Sequence, residues 1–344
     1  MQAFLSVRTL GGTASNVSVG AVGVGLSTLS KRHGDQILSD ESAFAFLRTA
    51  IEKGGTYWNT ATFYGSHDDP WANIQLIGRF FGKYPEYLHR VTIGIKGGFN
   101  PSGNFANPDS SEENLRRELN ELRKILGQKT VDVFGPARRD TKLSMERVTA
   151  TLAKLSKEGL FSHIGLSELS AESIRAAASV HPIASVEVES SPFTMDMEYN
   201  GVLQACEDHN IAIIAYSPLS RGFFTGTLRS HKDLPENDIR RKFDRFNEEN
   251  FNYNLQLTDK VTELAKSINI LPTQLTLAWE LHRCDKLIPV PGTTKESNLL
   301  QNLESAHIAV PPQILKRYDG IADDVSKRVS GTRFNAMMNR MLNG

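Results

Sequence analysis

The sequence predicts a single-domain α/β protein folded as a closed (β/α)8 barrel of the TIM type. Three observations predict it. Short apolar β-type runs alternate with longer amphipathic segments, the pattern of parallel strands joined by helices. Eight such runs can be counted, which is the number a closed barrel needs. No Pro/Gly/Ser-rich linker divides the 344 residues, so they read as one domain. An open doubly wound sheet is the alternative that the same alternation permits.

In chain order the predicted strands are Gly20 to Gly25, Thr56 to Asn59, Val91 to Lys96, Val131 to Phe134, Ser162 to Leu166, Ala184 to Val188, Ile211 to Tyr216 and Lys286 to Val290. Between them the helical pattern covers Ser42 to Lys53, Ser111 to Leu126, Ser144 to Lys157 and Ala171 to Val180. Each opens near a small residue, and Gly54-Gly55, Gly127 and Gly159 supply stops. The longest interruption, about residues 219–254, follows the seventh strand, is rich in charge and aromatics, and reads as a loop able to cover a ligand. From about residue 311 a C-terminal segment reads as a terminal helix, with Arg333, Phe334 and Met337 available to line a lid if it folds back over the pocket.

Lys plus Arg equals Asp plus Glu at 39 each, which removes the positive charge that a nucleic acid or an acidic membrane surface would require. The expected partner is a small molecule, bound by a monomer or weak oligomer. Cys206 and Cys284 lie far apart without metal-ligand spacing, so neither a disulfide framework nor a metal site is expected. No apolar run approaches the ~20 residues that span a bilayer. The expected location is the cytoplasm, with the nucleus also compatible.

In such a barrel the chemistry gathers where the strands end. The second strand ends in Asn59 and leads to Tyr64, the third ends in Lys96, and the fifth runs into Ser167 and Glu168. Glu187 lies on the sixth, Tyr216 and Ser217 end the seventh, and Pro291, Gly292 and Thr293 follow the eighth. A lysine closing an apolar strand is costly to desolvate without a partner or a task. It reads either as a snorkelling side chain or as the cation beside a tyrosine, whose pKa it would lower from ~10 toward neutrality, where a phenol passes a proton.

The segments TYWNTATFYG, IGIKGG, IGLSELS, AYSPLSRGFFTG and IPVPGTTKESNLLQN, in that order across nearly the whole chain, resemble the aldo-keto reductase family. The resemblance implies carbonyl reduction through a tetrad of Asp, Tyr, Lys and His. Tyr64 and Lys96 match two members, while Asn59 stands for the Asp and Ala137 for the His. TYWN, ARRD, SELS and VEVES resemble the fungal pyridoxal reductase branch, which implies reduction of pyridoxal to pyridoxine with NADPH. A reductase of secondary-metabolite ketones or aldehydes, or a nucleotide-binding regulatory subunit with little turnover, fits the same motifs.

Asn59 accepts a hydrogen bond but offers no charge to hold Lys96, which is therefore expected to titrate more easily. His67 is a candidate for the vacant histidine space. Arg138 and Arg139 read either as binders of an anionic substrate or as a solvated pair balanced by Asp140.

No GxGxxG opens the chain, since Gly20, Gly23 and Gly25 are spaced differently. The resemblance instead implies a dinucleotide across the barrel mouth. Gly25 and Ser217 lie among its contacts, Tyr216 stacks on the nicotinamide, and Ser167, Glu168 and Glu187 face its carboxamide. Pro218, Leu219, Arg221 and Gly222 lie along the pyrophosphate, and Gly292, Thr293, Thr294, Asn298, Gln301 and Asn302 at the adenosine end. Lys295, with Arg240, Arg241 or Arg245, is the candidate for the 2′-phosphate, which is the reason to expect NADPH.

Overall fold

The computed structural model describes residues 6–30, 37–66, 68–100, 107–334, 339 and 342. Ten strands are present among them. The first two, β1 (Val7–Thr9) and β2 (Ser18–Gly20), form an antiparallel hairpin. The other eight are β3 (Val24–Gly25), β4 (Tyr57–Ala61), β5 (Thr92–Gly97), β6 (Val133–Pro136), β7 (His163–Ser167), β8 (Ser185–Glu189), β9 (Ala212–Tyr216) and β10 (Leu287–Pro289). All eight pair in parallel with their sequence neighbours. The ring then closes, because Gly23 N donates to Pro289 O at 2.9 Å, Gly25 N donates to Pro291 O at 3.1 Å, and Gly25 bridges Gly292. Closure rules out the open doubly wound sheet.

Serine caps explain several helix starts. Ser39, Ser111, Ser144 and Ser170 accept the backbone N–H of Ser42, Asn114, Arg147 and Ser173, opening helices Asp40–Glu52, Glu112–Leu126, Met145–Lys157 and Ala171–Val180. Each such cap contributes about 1 kcal/mol. Strand side chains alternate between the barrel interior and the helix layer. Trp58 points out and packs on Phe80 and Phe81, with ring centroids 5.4 and 5.5 Å away, whereas Tyr57 joins the inner cluster with Val133, Ala212, Ile214 and Ile288.

The hairpin plugs the end of the barrel where the strands begin. Leu10, Ala14 and Val19 complete the inner cluster, and Gly11 N and Gly12 N donate to Ala184 O and Asn210 O. The predicted first strand, Gly20 to Gly25, therefore divides. Gly20 pairs with Val7 in the hairpin, and Val24 and Gly25 enter the barrel wall. The other predicted strands are present, displaced by up to about two residues. The interruption after β9 is shorter than predicted: it holds four 3-10 turns, and Asn247 caps a helix at Glu248–Lys266. The final segment is both a helix, Pro312–Arg328, and a strap that runs on to Phe334. Met337 lies outside the described residues. No helix among the described residues is long and apolar enough to cross a membrane.

Glycines make room inside the barrel. A Cβ on Gly94 would meet the Tyr57 hydroxyl, and one on Gly135 would fall on the Gly165 carbonyl oxygen. The Gly135 conflict is backbone against backbone, so no side chain can turn away to relieve it. Gly135→Ala is therefore expected to cost about 1–3 kcal/mol of stability, the usual range for overpacking, as read by urea denaturation. A loss under about 0.5 kcal/mol would contradict this account of the interior.

Candidate active site

Lys96 ends its strand in the barrel mouth with 8% of its surface exposed, and its ammonium has three acceptors. Nζ donates to Glu187 Oε2 at 2.8 Å, to Asn59 Oδ1 at 2.9 Å and to Thr60 O at 3.1 Å. Asn59 Nδ2 donates to the same Glu187 oxygen at 2.6 Å. Burial pushes the lysine toward neutrality, but Glu187, with Tyr64, outweighs it and holds the pKa above the ordinary lysine value. Lys96 is thus harder to deprotonate, not easier as Asn59 alone implied. The missing charge is supplied from β8.

Tyr64 follows β4 on a turn whose backbone is tied down. Its N–H donates to Ala61 O, and its carbonyl accepts from Asn73 N at 3.2 Å and from Ser30 Oγ at 2.7 Å. The ring lies 5.2 Å from Lys96 Nζ and edge-on to Phe63. Its phenol sits above the ordinary tyrosine value. Loss of water raises it, Lys96 lowers it and Glu187 raises it again. The lowering by the neighbouring ammonium does not prevail, because burial of the phenol outweighs it and Glu187 adds to the rise.

Ala137 is fully buried, so no polar side chain stands at the position of the absent histidine. His67 lies outside the described residues. Asp140 does not balance the arginines beside it, since it accepts from the amides of Ser110 and Lys142. Arg139 donates to Ser173. Arg138 donates to Ala137 O at 2.6 Å, has no ion-pair partner among the described residues, and lends its charge to both Tyr64 and Tyr216.

A second cluster lies beside the first, across β8. Glu189, which the sequence reading passed over, accepts from Arg221 and Arg333, with Arg245 3.7 Å away. Burial acts to raise its pKa, but the three guanidinium groups overcome this and hold it below the usual carboxylate range. Arg333 also donates to Glu168 Oε1 and to Tyr216 Oη, each at 2.9 Å. Its backbone oxygen accepts from Arg221, whose guanidinium lies 4.4 Å from the Phe334 ring centroid. The strap therefore does reach the mouth, as a lid formed by Arg333 and Phe334. The signal for Glu189 was VEVES itself, where period two puts Glu187 and Glu189 on one face of the strand.

Of the positions expected to hold a dinucleotide, Ser167, Glu168, Glu187 and Tyr216 come together at the ends of β7, β8 and β9. Ser217, Ser220 and Arg221 have φ of 52°, 47° and 55°, and Gly222 has 112°, so the run from Ser217 through Pro218 and Leu219 to Gly222 is tightly coiled. Beyond β10, Gly292, Thr293 and Thr294 lead to helix Glu296–Glu304, which carries Asn298, Gln301 and Asn302. Thr293 Oγ1 accepts from Lys295 N and Asn298 Nδ2.

Gly25 belongs to the barrel seam, where a Cβ would press on Val290 O. Arg240 pairs with Asp238, Arg241 donates to Pro235 O and Leu234 O, and Arg245 is buried against Glu189, so these three are spent within the protein. Lys295 is left, exposed at the start of its helix.

Residues 21–323 match the aldo/keto reductase family. An aldo-keto reductase of Schizosaccharomyces pombe whose name specifies NADP(+) is 34% identical over 323 residues, 93% of this chain and 92% of its own. A probable pyridoxal reductase of the same yeast is 32% identical over 331 residues, 94% of this chain and 97% of its own. The glycerol dehydrogenase from Gluconobacter oxydans shares the fold, with a TM-score of 0.80 over 95% of this chain and 97% of its own at 20% identity.

The raised phenol is measurable. In an ultraviolet titration of the wild type minus Tyr64→Phe, the Tyr64 phenolate band is expected to be absent below about pH 10, the ordinary tyrosine value. A band rising near neutrality would contradict the balance of charges described above.

Proposed function

The chain belongs to the aldo/keto reductase family, and we propose that it is an NADPH-dependent carbonyl reductase, with Tyr64 as proton donor, that reduces pyridoxal to pyridoxine. The observation that carries this reading is the Tyr64 phenol over the Lys96 ammonium at the open end of the barrel. A binding protein without turnover has no use for a proton donor beside a buried amine.

The residues present fit the cofactor. Left-handed backbone at Ser217, Ser220, Arg221 and Gly222 coils the chain tightly at the mouth, which suits close approach of the pyrophosphate to the backbone. Lys295 and the N-terminus of helix Glu296–Glu304 suit the 2′-phosphate that marks NADPH, and the NADP(+) in the yeast relative's name supports the choice. Tyr216 offers a ring to the nicotinamide, and Glu168 offers acceptors to the carboxamide NH2.

When bound, NADPH supplies the hydride. Tyr64 gives its proton to the carbonyl oxygen, and Lys96 stabilises the phenolate left behind. A raised phenol pKa keeps the donor protonated across the neutral range. Aromatic neighbours Phe63 and Phe99, in edge contact at 5.1 Å, form an apolar wall next to Tyr64.

The name of the second yeast relative supports pyridoxal as substrate, and so does Arg138. Pyridoxal carries a phenol next to its aldehyde. In its phenolate form it suits the Arg138 guanidinium, which has no ion-pair partner among the described residues.

Turnover is followed by NADPH absorbance. Tyr64→Phe is expected to lower it by at least about 100-fold, the scale of general-acid catalysis, with NADPH affinity changed by less than about twofold. Near-normal turnover would remove Tyr64 from the mechanism. Arg138→Ala is expected to raise KM for pyridoxal about tenfold, the worth of one charge-assisted hydrogen bond, and to leave a neutral aromatic aldehyde unaffected. Equal changes for both substrates would remove the anionic contact.

A further inference from the structure

We propose that Glu187 and Asn59 are a matched pair in which the carboxylate that positions Lys96 stands on β8 and its amide partner on β4, making Glu187 a positioning residue for proton transfer. The inference rests on the reading of Tyr64 and Lys96 as the proton-donating pair. It concerns how that pair is held, and it changes the role first expected of Glu187.

The geometry around one oxygen carries the argument. Glu187 Oε2 accepts from Lys96 Nζ at 2.8 Å and from Asn59 Nδ2 at 2.6 Å. Asn59 Oδ1 in turn accepts from Lys96 Nζ at 2.9 Å. The three side chains thus close a triangle, and only an amide at position 59 completes it, because the same group must accept from the ammonium and donate to the carboxylate. An aspartate there would bring a second carboxylate against Glu187 within hydrogen-bond distance, where two like charges cannot both ionise. Each residue therefore accounts for the other: with Asn59 on β4 the charge must come from elsewhere, and with Glu187 on β8 position 59 must donate.

Other carboxylates near the mouth are engaged. Glu168 is held by Arg333, and Glu189 by Arg221 and Arg333 with Arg245 close by. The remaining polar neighbours of the triangle are Thr60 O, which accepts from Lys96, and the phenols of Tyr57 and Tyr64, whose pKa values Glu187 raises. Lys96 is thereby fixed on its inner side by the triangle, while its outer side faces the Tyr64 ring.

The test exchanges the two groups. Single variants Glu187→Gln and Asn59→Asp and the double variant Asn59→Asp/Glu187→Gln are compared with wild type. Turnover with NADPH and pyridoxal is read in each. The Lys96 ammonium is titrated by NMR in the cofactor-free protein, and thermal unfolding identifies variants that do not fold. Glu187→Gln is expected to lose at least about tenfold in turnover and to titrate Lys96 at least about one pH unit lower, the scale of losing one neighbouring charge. Asn59→Asp alone is also expected to be impaired, and the double variant to recover both properties to within about threefold in rate. A merely structural role predicts that the two losses add; recovery requires that they compensate. Unchanged Lys96 titration in Glu187→Gln, or a folded double variant no better than the singles, would overturn the proposal. Failure of the wider reading looks different: the Lys96 titrations would follow the predicted order while Tyr64→Phe kept full turnover.

Discussion

Burying the ammonium of Lys96 at the end of β5 sets the terms for the surrounding barrel. Taking such an ion out of water costs several kcal/mol unless partners replace its hydration, and here Glu187, Asn59 and Thr60 replace it. Reaching them requires space. The residues in register with Lys96 on either side are Ala61 and Gly135, both small, so the lysine chain can cross the mouth toward β8. Below it the barrel is filled by Tyr57 standing over Gly94, which keeps the pair on a packed floor. The hairpin at the opposite end seals that floor from beneath.

Two electrostatic clusters share the mouth, with Arg138 acting on the tyrosine of each. In one, a single carboxylate holds a single ammonium beside a phenol. In the other, Glu189 gathers three arginines: Arg221 and Arg245 from the 3-10 turns that follow β9, and Arg333 from the C-terminal strap. Their charge reaches Tyr216 and Glu168 through Arg333. The strap is joined to the loop by further bonds, from Asn254 Nδ2 to Ser330 O and from Thr332 Oγ1 to Asp244. Loop, strap and β8 are thus tied together at the mouth, with Arg333 reaching Glu189 across 144 positions of sequence.

Much of the barrel was legible because its rules are local. Apolar β-type runs marked the strands, serines marked the helix starts, and strand ends marked Tyr64, Lys96, Ser167, Glu168, Glu187 and Tyr216. The first strand was misread because Gly20 and Gly25 look alike in sequence, although one belongs to the hairpin and the other to the seam; only long-range pairing separates them. Lys96's counter-ion was misread for the same reason. Asn59 is 128 positions from Glu187, and nothing local says that a carboxylate on β8 reaches across to a lysine on β5. Tyr64 sits above its ordinary value because burial of the phenol outweighs the nearby cation, with Glu187 adding to the rise, and burial depth is set by the whole fold. Arg240, Arg241 and Arg245 are candidates for a phosphate because they cluster in the long loop beside the matched motifs, yet their partners are carboxylates and carbonyls that only the folded chain brings to them.

We propose that this mouth carries hydride to a carbonyl carbon while Tyr64 supplies the proton. It is tested most directly by reducing pyridoxal with NADPH carrying deuterium at the transferable position of nicotinamide C4 and locating the label by mass spectrometry and NMR. The account predicts one deuterium on the former aldehyde carbon of pyridoxine and none on its hydroxyl oxygen after exchange. Tight NADPH binding with no label on pyridoxal or on any simple aldehyde would contradict it.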